Sequence, residues 1–432
     1  MIGLLDCNNF FVSCERVFNP ALNEKAVVVL SNNDGCVVSR SNEAKKLGIP
    51  MGLPAFKIKE YTNPNNISVL SSNNILYHDL SQRVMSLVAN EVKNLQIYSI
   101  DETFFSSPYE DDNANYEFCK DLVAKIKRYI GIPVSIGIAS TCTLAKIASH
   151  IAKKTKQDQG SVYVMSNGAN IESILRTTPI QDVWGIGRRN SQKLMEYGVG
   201  NAYDLTQMPT SWLRSNFSIC EVRTQKELKG EKCTTINAIT EGHKSITMSR
   251  SFGNLIWDKQ SLAQAIASFT ANCAERLRQQ HCATQVISVF IRGDRHKENL
   301  DFYNNSCEIR LAIASYDTSY IVKYALMALN NIYREGYSYK KAGVIFSQIV
   351  DESQIQLNLF DTNNIAKQKK LMKVIDAVNA LSGKGTITIG SESGDKKWAS
   401  RLEHRAKKSE SLHIYSGMGA DEISLTHNEK IK

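Results

Sequence analysis

Proline is scarce, at 8 of 432 residues, and glycine is held to 24, so neither a collagen-like repeat nor a proline-rich spacer is encoded. Long apolar runs are missing: no stretch approaches the roughly 18 residues that cross a bilayer. The opening Met1-Ile2-Gly3-Leu4-Leu5 runs into Asp6 without a basic leader or a small-residue cleavage site, so the expected location is the cytoplasm, with no membrane partner. Ten cysteines include no Cys-x-x-Cys pair and eight histidines lack zinc-ligand spacing, which points to reduced thiols used in packing. There is no internal repeat. What is present is a 42% hydrophobic composition, enough for two to four domains at roughly 150 residues each, which excludes disorder throughout.

Lys and Arg number 52 against 43 Asp and Glu, a net +9. The balance is uneven: residues 1–110 hold 9 basic and 11 acidic groups, or −2, and the remainder carries +11. A basic body beside an acidic segment predicts a polyanionic partner and a local cluster of carboxylates.

Ile2–Cys7 reads as a buried strand, and Asn8 to Val17 as helical. Ala26–Ser31 and Cys36–Ser39 are apolar runs split by Asn32-Asn33-Asp34-Gly35, a hairpin signal because these residues tolerate left-handed backbone. Ser41–Leu47 predicts a short helix stopped by Gly48 and Pro50, Val69–Ser72 a strand, and the face Leu76, Leu80, Val84, Leu87, Val88 a helix over about 75–92. Strands near 97–100 and 103–105, an Asp/Asn-rich loop over 110–115, a helix Tyr116–Tyr129, a strand Pro133–Ala139, a basic helix Thr143–Lys154 and a strand Ser161–Met165 follow. Apart from 20–70, this fits a ferredoxin-like layer, a sheet with helices on one face. Residues 170–235 are helical in pattern, 240–350 return to mixed strands and helices, and beyond Asp351 a Gln-, Asn-, Lys- and Ser-rich tail reads as a linker or partner-binding segment.

Asp6 ends the first strand, and Asp101-Glu102 follow Tyr98-Ser99-Ile100. A carboxylate beside buried apolar residues either caps a turn or holds a cation, and spacing alone leaves both open. Oxygen ligands without nearby His or Cys favour Mg²⁺ over zinc, and a pair of such ions suits in-line phosphoryl transfer. From Pro179 to about Val199, a short helix, the turn Gly185-Ile186-Gly187 and a helix opening with Arg188 and Arg189 suggest a helix-hairpin-helix whose backbone N–H groups reach a phosphate.

In combination, four segments resemble the Y-family of translesion DNA polymerases, and within it the UmuC type, the catalytic subunit of bacterial DNA polymerase V. They are Asp6-Cys7-Asn8-Asn9-Phe10-Phe11-Val12-Ser13-Cys14-Glu15, Val28 through Arg40, Tyr98-Ser99-Ile100-Asp101-Glu102, and Asp182-Val183-Trp184-Gly185-Ile186-Gly187-Arg188-Arg189. The resemblance implies an α+β multidomain fold: a ferredoxin-like palm (1–19 and 71–168), fingers (20–70), a helical thumb with the helix-hairpin-helix (169–239), an α+β little finger (240–350) and a C-terminal tail (351–432). It implies an error-prone DNA-templated DNA polymerase of SOS mutagenesis, joining dNTP to a primer 3′-hydroxyl.

Carried over by position, Asp6, Asp101 and Glu102 become metal-binding carboxylates for two Mg²⁺ ions, with the Cys7 carbonyl as a further ligand. Phe11 becomes a steric gate under the sugar, with Phe10 packed beside it against the incoming nucleotide; by pattern alone Phe11 reads equally as a core aromatic. Ser39, Asn42, Lys45 and Lys153 fall where the family contacts the triphosphate. Asn42 and Lys45 depart from the Tyr and Arg common there, and Lys offers a point charge in place of a bidentate fork. By charge pattern alone both lysines read as solvated. Gly185, Gly187, Arg188, Arg189 and Arg250 would hold primer-template DNA, with Arg276, Arg278, Arg292 and Arg295 as further phosphate contacts. Gln356, Leu357, Asn358, Leu359 and Phe360 resemble a sliding-clamp peptide, in which an extended segment places apolar anchors in a groove. A UmuD′-type dimer and a RecA filament are implied as partners, and association with the nucleoid during repair. Two competing readings remain: a palm-type nucleotidyl cyclase, which has no need of the helical hairpin and basic second domain, and a non-catalytic clamp-tethered DNA-binding scaffold, which has no need of intact Asp6, Asp101 and Glu102.

Overall fold

The computed structural model describes residues 1–61, 67–155, 161–166, 170–236, 244–295, 301–356, 365–383, 385–392, 398 and 403–404. The chain divides into two units, residues 1–240 with 403–432, and residues 241–402.

In the first unit, β1 (Ile2–Cys7) is buried at all six residues and passes through Asn9, at a left-handed φ of 47°, into α1 (Phe10–Phe18). The chain then forms a small sheet of β2 (Ala26–Leu30), β3 (Val37–Arg40) and, after α2 (Asn42–Lys46), β4 (Ile67–Ser71), in the order β3-β2-β4. β2 and β3 are antiparallel across a turn in which Asn33 and Asp34 hold φ of 61° and 51°, the conformations for which the Asn-Asn-Asp-Gly run is suited. Next come α3 (Asn74–Glu91), β5 (Leu95–Ile97), β6 (Glu102–Ser106), α4 (Asp112–Tyr129), β7 (Val134–Ala139), α5 (Cys142–Thr155) and β8 (Ser161–Val164). They complete a five-stranded sheet ordered β5-β6-β1-β7-β8. α4 begins at Asp112 and not at Tyr116, because Asp111 caps it by accepting the Ala114 N–H at 2.8 Å.

The expectation of helices on one face needs correction, since both faces are covered. Leu5 and Cys7 point with Phe105 and Ile136 into a core with α1, α3 and α4, whereas Ile2 and Leu4 point with Phe104 into a core with α5 and the helices that follow. A strand buried on both sides reads as a continuous apolar run, so alternation could not reveal the second layer. Gly137 permits the close approach of α5: a Cβ there would lie 2.0 Å from the Ser149 nitrogen. Asp6 shares the α5 face with Ile2 and Leu4 and stands opposite Glu102 across the β1/β6 pair.

The rest of this unit is helical: α6 (Asn170–Thr177), a 3-10 turn at Ile180–Asp182, α7 (Arg188–Glu196), α8 (Ala202–Gln207), α9 (Thr210–Asn216) and α10 (Ile219–Leu228). Glu227 at the end of α10 fastens this block to α5, accepting the Thr143 N–H at 2.9 Å and its hydroxyl at 2.6 Å.

The second unit is an antiparallel sheet with helices. β9 (Ser245–Ile256), α11 (Lys259–Gln279), β10 (Cys282–Arg292), β11 (Asn304–Ser315), α12 (Thr318–Ile332) and β12 (Tyr339–Asp351) give the strand order β11-β10-β12-β9. The tail is not simply a linker. Residues 365–382 form α13 (Ile365–Ser382), Met372 is buried, and Asp376 receives both Nε and Nη2 of Arg278, at 2.6 and 2.7 Å. Trp398 joins the core of this unit, edge-on to Phe269 at 5.4 Å. No helix among the described residues is long and apolar enough to cross a membrane.

Candidate active site

Asp6 and Glu102 are cross-strand neighbours at one end of the β1/β6 ladder, and their carboxylates meet two lysines of α5. Lys146 Nζ donates to both Glu102 oxygens, each at 2.8 Å, and Lys153 Nζ donates to Asp6 Oδ2. Positions 146 and 153 are two helical turns apart, which puts both ammonium groups on the face over the strands. Asp6 is 8% exposed. Burial pushes its carboxyl up to about 7, Lys153 pulls it down, and Glu102 beside it pushes it up again. These groups line a cleft of about 340 Å³ closed by Ile174, Thr178, Pro179, Asp182 and Trp184.

The donor set suits a hard divalent cation. Asp6 Oδ1 is buried without a hydrogen-bond partner, and an orphaned carboxylate oxygen beside a second carboxylate is the arrangement a cation relieves. Burial pushes the Cys7 thiol well above its ordinary range, so it stays neutral in the apolar core on the other face of β1. Asp101 lies just before β6; its carbonyl accepts the Cys7 N–H at 2.9 Å and its carboxylate accepts the Ser99 hydroxyl at 2.6 Å. Among the described residues no three His, Cys, Asp or Glu side chains are gathered as a metal cage. Asp6 and Glu102 are thus together, with Asp101 adjacent in the backbone and turned to Ser99.

The residues expected at a triphosphate surround the start of α1. Phe10 is buried, while Phe11 is half-buried and stacked on Tyr77, with centroids 4.4 Å apart and 12° between planes. The Tyr77 hydroxyl donates to Glu15 at 2.8 Å, which fixes the ring beneath Phe11. Ser39 Oγ accepts the Val12 N–H at 3.4 Å, and Asn42 Oδ1 accepts from Asn9 at 3.1 Å and from Lys45 Nζ at 3.4 Å. β3 and the first turn of α2 therefore meet α1, and Lys153 sits at the carboxylates.

Gly185 holds a φ of 89°, and a Cβ there would come within 2.7 Å of Thr224 Oγ1. Gly187 precedes α7, and Gly185, Gly187, Arg188 and Arg189 are all exposed. The first arm of the expected hairpin is only a 3-10 turn, Ile180–Asp182. In the second unit Arg250 is exposed on β9, 5.9 Å from the Trp398 ring centroid. Arg278 is engaged by Asp376, the Tyr316 carbonyl and Thr318, so it serves packing and is corrected as a phosphate contact. Of the clamp-like peptide, Gln356 is exposed, and Leu357, Leu359 and Phe360 lie outside the described residues.

Sequence reasoning missed Lys146, Tyr77 and the Trp184–Tyr98 contact, in which Trp184 Nε1 donates to the Tyr98 hydroxyl at 3.0 Å. A signal existed for Lys146, namely its seven-residue spacing from Lys153. None existed for the other two, which depend on tertiary contact.

The impB/mucB/samB family matches residues 5–150, its C-terminal domain residues 243–359, and a domain of unknown function residues 369–409. The chain is 39% identical over 411 residues to Protein UmuC of Salmonella typhimurium, covering 93% of this chain and 96% of the relative. It is 34% identical to Protein MucB of Escherichia coli, covering 93% and 96%, and 24% identical to DNA polymerase IV of Desulfatibacillum aliphaticivorans, covering 89% and 94%. Among solved structures, a Y-family DNA polymerase chimera of Dbh and Dpo4 superposes with a TM-score of 0.64 at 20% identity, covering 81% of this chain and 100% of the chimera.

Proposed function

We infer the function from the premise that this chain belongs to the impB/mucB/samB family, the UmuC type of Y-family DNA polymerases. It is a DNA-directed DNA polymerase of translesion synthesis, its substrates are DNA and deoxynucleoside triphosphates, and divalent metal serves the reaction. The observation that carries the site assignment is the Asp6–Glu102 pair, with its orphaned buried oxygen, at the mouth of a lysine-lined cleft.

Residues 1–19 and 71–168 act as palm, 20–70 as fingers, 169–239 as thumb, 240–350 as little finger and 351–432 as tail. Asp6, Asp101, Glu102 and the Cys7 carbonyl would hold two Mg²⁺ ions, which would supply Lewis-acid activation of the primer 3′-hydroxyl and charge stabilisation of the pyrophosphate leaving group. Lys153 and Lys45 give positive charge and donors to the triphosphate, with Ser39 and Asn42 beside them. Phe11, stiffened by the Tyr77 stack, lies under the sugar and excludes a 2′-hydroxyl, and Phe10 in the core backs it. The Gly185–Gly187 turn with Arg188 and Arg189 holds DNA backbone without reading sequence, as does Arg250 on β9. A sliding clamp takes residues 356–360, a UmuD′-type dimer and a RecA filament assist, and the work is cytoplasmic, at the nucleoid.

Primer extension by the purified chain, on undamaged template and opposite an abasic site, tests the reading. Asp101→Ala is expected to reduce pyrophosphate release to background with DNA binding retained; undiminished extension would remove Asp101 from the metal chemistry.

A further inference from the structure

Lys146 is a charged group of the cleft, paired with a proposed metal ligand, that has no task in the polymerase reaction proposed above. Its ammonium spans both oxygens of Glu102 at 2.8 Å, and the two side chains are only 18% and 17% exposed. A cation drawn to Glu102 must therefore compete with a charge already seated there. The ammonium also stands 4.7 Å from the Tyr98 ring centroid, within the range of a cation–π contact. Tyr98 is itself fixed: its hydroxyl accepts from Trp184, and its ring meets Phe104 and Trp184 edge-on, both at 5.7 Å. With Lys153 on Asp6, each carboxylate of the facing pair has its own ammonium.

We propose that Lys146 is a positioning residue, an internal counter-cation that holds Glu102 until a divalent cation takes the carboxylate over, with the Tyr98 face retaining the ammonium afterwards. An exposed lysine would swing into water and its charge would be screened. This one is confined by Tyr98, so it remains close enough to oppose a bare cation. The bare protein consequently binds divalent metal weakly, and removing the lysine charge strengthens that binding. The inference rests on the polymerase reading only in taking Asp6 and Glu102 as metal ligands.

The test is Mn²⁺ binding to the full-length chain without DNA or nucleotide, followed by electron paramagnetic resonance, counting only the binding that Asp6→Asn abolishes. Lys146→Met is expected to tighten it about tenfold, the scale of one partly buried charged hydrogen-bonded pair, and Lys146→Arg to leave it within about twofold. Lys146→Gln provides the same comparison should the Met variant fail to fold. Unchanged or weaker Mn²⁺ binding in the folded neutral variants would overturn the proposal and leave Lys146 a structural ion pair. A chain that shows the tightening but never extends a primer would sink the catalytic reading and spare this one.

Discussion

Asp6 has one carboxylate oxygen without a partner, and burial pushes its carboxyl up to about 7. The sign of the stability effect follows. The folded carboxyl holds its proton more tightly than the unfolded one, whose value is near 3.8, so metal-free stability falls as pH rises from about 4 to about 7. Asn cannot ionise and escapes that penalty. Asp6→Asn should therefore melt close to the parent at pH 4 and a few degrees higher at pH 8, with polymerase activity lost, as expected where a site tolerates strain for function. Melting curves without metal across pH 4–8 check this; a difference that shrinks with rising pH would mean that Lys153 outweighs burial. Asp6 and Glu102 were legible in the sequence because acids stand out against apolar runs. Lys146 left only its seven-residue spacing from Lys153 as a signal, since a lysine on a helix reads as solvated until the strand beneath it is known.

Among elements, α13 departs most from the sequence reading. Lys and apolar residues are interleaved along it, and Leu371, Val374 and Leu381 remain exposed, so the sequence shows no clean apolar face to announce a docked helix. Its attachment is a few specific contacts: Asp376 to Arg278, buried Met372, and Lys369 Nζ to Glu352 at 2.9 Å. Arg278 keeps the Tyr316 carbonyl and Thr318 if Asp376 is lost, so the damage should stay local. Asp376→Ala is expected to speed amide exchange over 365–382 by about tenfold, the effect of removing roughly 1.5 kcal/mol from one charge-assisted contact, with β9 to β12 unchanged. Equal acceleration in the strands would make α13 part of the sheet's own cooperative unit. The small sheet shows the opposite case: its Asn-Asn-Asp-Gly turn was readable because left-handed backbone admits few residue types, and the turn has that conformation.

At the scale of the molecule the charge bears on how the chain stays on DNA. A surplus of +9 over 432 residues is thin, and residues 1–110 contribute −2 to it. Phosphate contacts release counterions in proportion to their number, so a few dispersed arginines give a weak, salt-sensitive grip. A tether would raise the local concentration of template without any further base or phosphate contact. In sequence, residues 356–360 fall between β12, which ends at Asp351, and α13, which begins at Ile365, and they are the segment proposed above for that role. The peptide is thus bracketed by elements of the second unit, where the sequence alone placed it at the head of a free tail. Deleting 356–360 should accordingly lower synthesis on clamp-loaded templates to the level seen without clamp, and leave short-primer extension without clamp within about twofold, since no polymerase contact is assigned to these residues. Processivity on singly primed circles, with and without clamp, separates the outcomes. Equal loss in both arms would mean that the segment supports the second unit's fold, and residence on DNA would then have to come from the protein's own basic surface.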